Sequence, residues 1–206
     1  IKLMLGSLFI VAAPSGAGKT SLVNALVEQQ NNIALSVSHT TRKARDGEVA
    51  DKDYFFVSPG VFSNMQERGD FLESATVYDH SYGTSSEAVF EQLKSGIDVI
   101  LEIDWQGAKQ VRKNYPNSIG IFILPPSKKA LKQRLLGRGQ DDTDVIERRM
   151  RDAENEISHY VEFDYLIVND AFDKALTELT TIISARRHSM TIQKDSQASL
   201  LKTLLA

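Results

Sequence analysis

The sequence predicts an α/β fold, a central and mostly parallel sheet covered by helices. Three features predict it. Leu8-Phe9-Ile10-Val11-Ala12 is an unbroken apolar run of strand length, the pattern of a strand buried on both faces. A small, glycine-rich stretch, Ala13 to Thr20, follows it directly, and a segment of helical spacing comes next. The same alternation of apolar strand and helix returns further along the chain, as parallel strands joined by helical crossovers require.

Residues 21 to 30 place Leu22, Ala25, Leu26 and Gln29 on adjacent turns, which predicts the first helix. Ile97 to Ile103 reads as a strand and Gln106 to Tyr115 as a helix. Ile119 to Leu124 reads as a strand stopped by Pro125-Pro126, and Lys128 to Arg138 as a helix. Tyr165 to Val168 is the last strand. The helix after it, about 173 to 188, has an apolar stripe of Leu176, Leu179 and Ile183. Two stretches break the rhythm. Residues 36 to 86 read as short strands and turns with one helix at about 59 to 68, an inserted small domain. Residues 131 to 160 carry dense charge of both signs, with Gly137 and Gly139 near the start. Ile146, Met150, Ala153 and Ile157 keep a narrow helical stripe there, so the stretch reads as a charged, mobile flap. The tail after Met190, with Leu200, Leu201, Leu204 and Leu205, reads as a loosely docked end rather than a short amphipathic helix.

A chain of 206 residues fits one domain with an insertion. The absence of cysteine excludes disulfides, thiolate zinc sites and cysteine nucleophiles, and suits a reducing cytoplasm. The net charge of −3 lacks the basic surplus of a protein that grips a nucleic-acid backbone, so any phosphate binding must be local. The longest early apolar run, Leu8 to Ala13, is about a third of a membrane span. Ile1 to Met4 lacks a signal peptide's apolar core, and Met4 is a candidate start residue. His39, His80, His159 and His188 show no metal-ligand spacing.

Ala13-Pro14-Ser15-Gly16-Ala17-Gly18-Lys19-Thr20 matches the phosphate-loop pattern G-x-x-x-x-G-K-[ST] except that Ala13 replaces the first glycine. The substitution is tolerated where that position keeps negative φ. Gly16 and Gly18 let successive backbone N–H groups converge on one anion, and the next helix adds its positive end. Lys19 supplies a point charge for the β and γ phosphates. The Thr20 hydroxyl is placed for Mg²⁺. A ligand-free glycine turn is the competing reading, and the buried strand before the loop and the helix after it weigh against that. Glu102 and Asp104, at the end of their strand, stand where such a loop keeps an acid on the metal or substrate side. An ordinary strand-end acid is the alternative.

Further motifs follow in order: Ser36-Val37-Ser38-His39-Thr40-Thr41-Arg42-Lys43-Ala44-Arg45-Asp46-Gly47-Glu48, then Lys52-Asp53-Tyr54-Phe55-Phe56, Phe71-Leu72-Glu73, Tyr82-Gly83-Thr84-Ser85 and Leu101-Glu102-Ile103-Asp104-Trp105-Gln106-Gly107. With the loop, this set resembles the bacterial-type guanylate kinases, ATP:GMP phosphotransferases, from about Leu8 to at least His188. The resemblance implies a three-layer P-loop NTPase fold in three parts: a core (about 6–36, 88–125 and 161–190), a GMP-binding insert (about 37–87) and a helical lid (about 126–160), followed by a tail (191–206). It implies that residues 13–20 hold ATP, with Asn169 near the adenine. It implies that Ser38, Arg42, Arg45, Tyr54 and Tyr82 hold the GMP phosphate, and that Glu73, Thr84 and Asp104 read guanine. Lys19, Arg42, Arg138 and Arg149 would surround the transferred group. Thr20 would face Mg²⁺, with Glu102 acting through a metal-bound water, although the family often has Asp there.

The chemistry of these side chains supports the resemblance independently. Guanine presents N1–H and N2–H₂ as adjacent donors, which an ionised carboxylate such as Glu73 accepts together, whereas adenine offers no such pair. Arg42 and Arg45 carry planar forks that match phosphate oxygens. Taken singly, the arginines read equally as solvated loop charges, Tyr54 and Tyr82 as packing residues and Glu73 as a surface acid. Their joint order and spacing favours function. The expected reaction is direct in-line transfer from ATP to GMP, and to dGMP, with no enzyme nucleophile. Two rivals stand beside it: a kinase-like module that binds phosphopeptides, and a kinase for another monophosphate such as AMP or dTMP. The expected partners are small molecules, not nucleic acid or membrane. The leucines of the tail suggest a homo-oligomer.

Overall fold

The computed structural model describes residues 6–77, 79–137 and 143–206. Strand β1 (Leu8–Ala12) lies at the centre of a five-stranded parallel sheet. Its neighbours are β7 (Asp98–Glu102) and β8 (Ile119–Leu124), with β2 (Ile33–Leu35) beyond β7 and β9 (Tyr165–Val168) beyond β8. All five residues of β1 are buried because both faces are covered. Phe9 and Val11 point into a core that includes Leu22, Val23 and Leu26 of helix α1 (Lys19–Gln29) and Leu176, Leu179 and Ile183 of α7 (Phe172–Arg187). Leu8 and Ile10 point the other way, into a core with Val89 and Leu93 of α3 (Ser86–Lys94) and Ala108 and Val111 of α4 (Trp105–Asn114). The period-two alternation of a strand thus feeds two helical layers, giving three layers in all.

A second sheet, ordered β4-β3-β6-β5, lies within residues 39–85. It contains β3 (His39–Thr40), β4 (Phe55–Phe56), β5 (Phe71–Val77) and β6 (His80–Ser85), with α2 (Pro59–Glu67) packed beside it. Phe62 and Phe71 pack in a tilted pair at 4.6 Å, and His39 stacks on Phe55 at 4.8 Å, so this sheet has an aromatic core of its own. Helices α5 (Lys128–Gly137) and α6 (Thr143–Ser158) form a third unit. Leu131 and Leu135 of α5 bury Ile146 and Ala153 of α6, with Met150 alongside. The narrow stripe expected on that charged segment is therefore the seam between two helices. Helices α8 (Met190–Ser196) and α9 (Ala198–Leu204) end the chain.

The elements differ from the sequence reading at several points. Strand β2 and helix α3 were not anticipated. Strand β2 is three residues long, below the length at which periodicity speaks, and α3 buries only Val89 and Leu93. Helix α1 starts at Lys19 rather than Ser21, because Gly18 is its N-cap and the phosphate loop runs straight into its first turn. The tail forms short helices, the alternative to a loosely docked end, and buries none of its side chains, with Leu200, Leu204 and Leu205 more than half exposed. No helix among the described residues is long and apolar enough to cross a membrane.

Candidate active site

The carboxyl ends of β1 and β7 open together, where open α/β sheets place their ligands. The loop after β1 needs left-handed backbone twice, at Gly16 (φ 92) and Gly18 (φ 90), and glycine supplies it without strain. Ala13 is not among the described non-glycine residues with positive φ, so its side chain costs the loop nothing. A Cβ on Gly18 would lie 2.4 Å from the Asn169 amide nitrogen, which shows how tightly the loop is held from behind. Asn169 is buried and donates to the Ala17 carbonyl at 2.8 Å. Arg134 of α5 reaches the Ala17 carbonyl at 3.3 Å and the Asn169 carbonyl at 2.9 Å.

A cavity of about 220 Å³ spans the loop, the end of β7 and the second sheet. The whole loop from Ala13 to Thr20 lines it, together with Ser38, Arg45, Tyr54, Glu73, Tyr82, Glu102, Asp104 and Arg149. Most residues named from sequence therefore converge on one space, although they lie on three strands, two helices and several loops. Arg42 and Thr84 stand just behind its wall. Asn169 faces the back of the loop, its amide already engaged. Arg138 lies outside the described residues.

Within the cavity, Lys19 donates from Nζ to the Ile103 carbonyl at 3.2 Å, which draws its charge to the end of β7. The Thr20 hydroxyl donates to Glu102 Oε1 in a very short contact. Asp104 caps α4, accepting the Gly107 N–H at 2.9 Å and the Gln106 amide at 2.9 Å.

Glu73 is 4% exposed. Its Oε1 accepts the Thr84 hydroxyl at 2.6 Å, and Thr84 Oγ1 lies 3.2 Å from Ser38 Oγ, so three side chains form one relay. Burial pushes the Glu73 carboxyl up to about 7. The Thr84 bond opposes that shift and the charge of Asp104 reinforces it. The other carboxylate oxygen faces α4 at Gly107, where a Cβ would come within 2.5 Å, so glycine makes the close approach possible. Gln110, one turn on, brackets the next residue of β5. It accepts the Ser74 N–H at 3.1 Å and donates to the Ser74 carbonyl at 2.7 Å.

The cationic wall is equally ordered. Arg42 pairs with Glu48 at 2.7 Å, donates to the Tyr82 hydroxyl at 3.3 Å and lies over the Tyr54 ring at 5.4 Å. Burial works against the Arg42 charge, but the bonds to Glu48 and Tyr82 outweigh it and hold its pKa above the ordinary value. Burial pushes the Tyr54 hydroxyl up to about 12, and the nearby charge of Glu102 adds to this, so it remains a neutral donor. Glu48, Gln110, Arg134 and Glu156 escaped the sequence reading. Gln110, Arg134 and Glu156 work through contacts distant in sequence; Glu48 closes the motif from Ser36 but carries no role there until its local pairing with Arg42 is seen.

The geometry can be set beside known proteins. The family model described as guanylate kinase matches residues 6–186. A guanylate kinase of Saccharophagus degradans is 56% identical over 201 residues, covering 98% of each chain. One from Escherichia coli (strain K12) is 54% identical over 203 residues, again covering 98% of each. The crystal structure of a guanylate kinase from Anaplasma phagocytophilum superposes with a TM-score of 0.77 at 31% identity, covering 91% of this chain and 89% of that one. A phosphate loop facing a buried carboxylate across one cavity, and relatives more than half identical along almost their whole length, lead to the same place: the chain belongs to the guanylate kinase family.

Proposed function

We infer that this chain is a guanylate kinase, an enzyme that transfers the γ-phosphoryl group of ATP to GMP. The observation that carries the reading is the pairing, in one cavity, of converging loop amides with a buried, hydrogen-bonded Glu73. A loop alone is common to many nucleotide enzymes. A carboxylate held ready for two adjacent donors suits guanine.

In this reading the loop amides and Lys19 seat the ATP phosphates. Glu73, with Thr84 and Asp104, receives the guanine edge, and the close backbone of Gly107 and the Gln110 bracket fix where Glu73 stands. Ser38, Arg45, Tyr54 and Tyr82 face the GMP phosphate, with Arg42 completing the wall. Arg42 is locked by Glu48 before substrate arrives, so little reorganisation remains to be done at the moment of reaction. Asn169 acts from behind the loop and supports the ATP site through Ala17. We place no enzyme nucleophile on the path: one anion attacks the other in line, and the protein supplies position and charge. The Thr20 hydroxyl would hold Mg²⁺, with the Glu102 carboxylate acting through a metal-bound water. Such hard oxygen donors suit an ion that otherwise keeps water and substrate phosphates as ligands. When bound, Mg²⁺ offsets phosphate charge.

We further propose that core, insert (37–87) and lid (126–160) move as three parts, since the second sheet and the α5–α6 pair each have a core of their own. Closing them around the nucleotides would exclude water that otherwise hydrolyses ATP. Nothing in the assigned set addresses a ribose 2′-hydroxyl, so dGMP is expected as a second acceptor. The cytoplasm, where ATP and GMP are held, is the expected setting.

An ADP-release assay across GMP, dGMP, AMP, dTMP and CMP tests the reading. Turnover with GMP and dGMP alone is expected, and turnover with AMP but not GMP would overturn it. Arg149, which reaches the cavity from α6, gives a second check. Arg149→Ala is expected to lower kcat by roughly 10²-fold while KM for either nucleotide changes little, as for a group that acts where charge develops. A pure KM effect would place the side chain outside the transition state.

A further inference from the structure

Glu156 has no part in the transfer just described, yet its carboxylate sits on the phosphate loop. Its Oε2 accepts the Ser15 N–H at 3.1 Å, across a sequence separation of 141 residues. The amides of such a loop are what a phosphate needs, and a carboxylate is the protein's own anion able to occupy one of them. The position is a contested one. Burial raises the Glu156 carboxyl above the usual carboxylate range; the Ser15 amide and Lys19 oppose this, while Asp104 and Asp152 add to it. The carrier matters as well. Helix α6 brings both Glu156 and Arg149 to the same cavity, about two turns apart on one face. Ile146 and Ala153 seat that helix on α5, so acid and arginine ride one packed unit.

We propose that Glu156 is a residue of donor binding that competes with ATP: its carboxylate takes the Ser15 amide first and is displaced by the incoming phosphates. The proposal rests on the reading of the loop as the ATP site. Two anions cannot share one N–H, and the phosphates bring more charge than a carboxylate, so they prevail when they arrive. Their arrival expels the acid and leaves Arg149 as the group that α6 presents to them. The helix thereby carries a sensor of loop occupancy and a catalytic cation together. Affinity for ATP is lower than the bare loop would give, and the difference is spent on setting α6.

The sign of a substitution distinguishes this from a structural prop. Removing a prop loosens the loop and weakens ATP binding, whereas removing a competitor strengthens it. Calorimetric titration of the full chain with MgATP, in the absence of GMP, reads that sign. Glu156→Gln keeps an oxygen that can accept from Ser15 but loses the charge, and it is expected to bind MgATP about tenfold more tightly, the effect of relieving one close like-charge contact. Glu156→Asp keeps the charge but falls a methylene short of Ser15, and a smaller gain is expected. KM for ATP should fall in parallel while KM for GMP holds. Thermal melting without nucleotide verifies that each variant is folded, and the Asp variant carries the test if the Gln variant is not. Unchanged or weaker MgATP binding in a folded variant, beside a wild type that binds MgATP and phosphorylates GMP, overturns the competitor and leaves the loop assignment standing. A wild type that does not bind MgATP overturns both.

Discussion

Lys19→Met is expected to abolish measurable turnover while leaving the fold intact. Among the described residues, the cavity lining sets Lys19, Arg45 and Arg149 beside four acids, Glu73, Glu102, Asp104 and Glu156. Lys19 is the base that sits among those acids, tethered to the Ile103 carbonyl at the end of β7. Methionine keeps the length and apolar stem of the side chain and removes only the ammonium. The fold loses one partly exposed hydrogen bond, about 1 kcal/mol. Catalysis loses a preorganised positive charge at the point where two anions must meet; a single neutral donor is already worth roughly 10²–10³ in kcat, and a full charge more. Because one cation fewer then offsets those acids where the phosphates bind, KM for ATP should rise as well. Steady-state ADP release and a melting curve on the same sample decide the matter. Near-normal activity in a folded variant would defeat the assignment of the phosphate loop.

That loop was legible in the sequence because its chemistry demands consecutive residues. Amides that converge on one anion must be neighbours along the chain, so Gly16, Gly18, Lys19 and Thr20 appear as a string. The parallel sheet was legible for a related reason: strands such as β1, buried on both faces, are apolar throughout. The short strands of the second sheet carry little periodicity. Their positions could be read only through the motifs around Arg42, Tyr54, Glu73 and Tyr82. What stayed hidden is what folding brings together from afar. Gln110 is an unremarkable helical glutamine until α4 lies along β5, where its amide brackets Ser74. Arg134 is one of many charges on α5 until that helix packs on the loop. The Glu156 contact depends on α6 meeting the loop near the other end of the chain, and no local pattern encodes it. Asn169 shows the converse. Its position could be named from sequence, but that its amide would be engaged by Ala17 behind the loop could not.

Glu73→Gln should separate the two nucleotides, and it makes the protein more stable as it makes the enzyme worse. An ionised carboxylate accepts both donors of the guanine edge. Glutamine offers one acceptor and sets its own N–H₂ against the second donor, leaving a buried clash. Sites that read hydrogen bonds in this way discriminate by roughly 10⁴–10⁵, so kcat/KM for GMP is expected to fall by at least about 10³-fold while KM for ATP stays within about twofold. Equal losses for both nucleotides would remove Glu73 from the base site. The raised pKa supplies a pH signature. With the carboxyl pushed up to about 7, the ionised, guanine-accepting form gives way to the protonated form as pH falls through neutrality, so wild-type kcat/KM for GMP should decline below about pH 7. The GMP phosphate itself titrates near pH 6, and the glutamine variant isolates that limb because it lacks the carboxyl one. The same shift sets the stability. A carboxyl whose folded pKa lies above its unfolded value stabilises the fold at low pH, and that contribution is lost as pH rises from about 4.5 through about 7. At pH 8 the wild type therefore carries the cost of a buried charge, of order 1–3 kcal/mol, and glutamine relieves most of it. The variant should melt a few degrees higher than wild type at pH 8, with the gap closing as pH drops toward 5. A variant that melts lower at pH 8 would mean that the Thr84 bond to the charged carboxylate outweighs its burial.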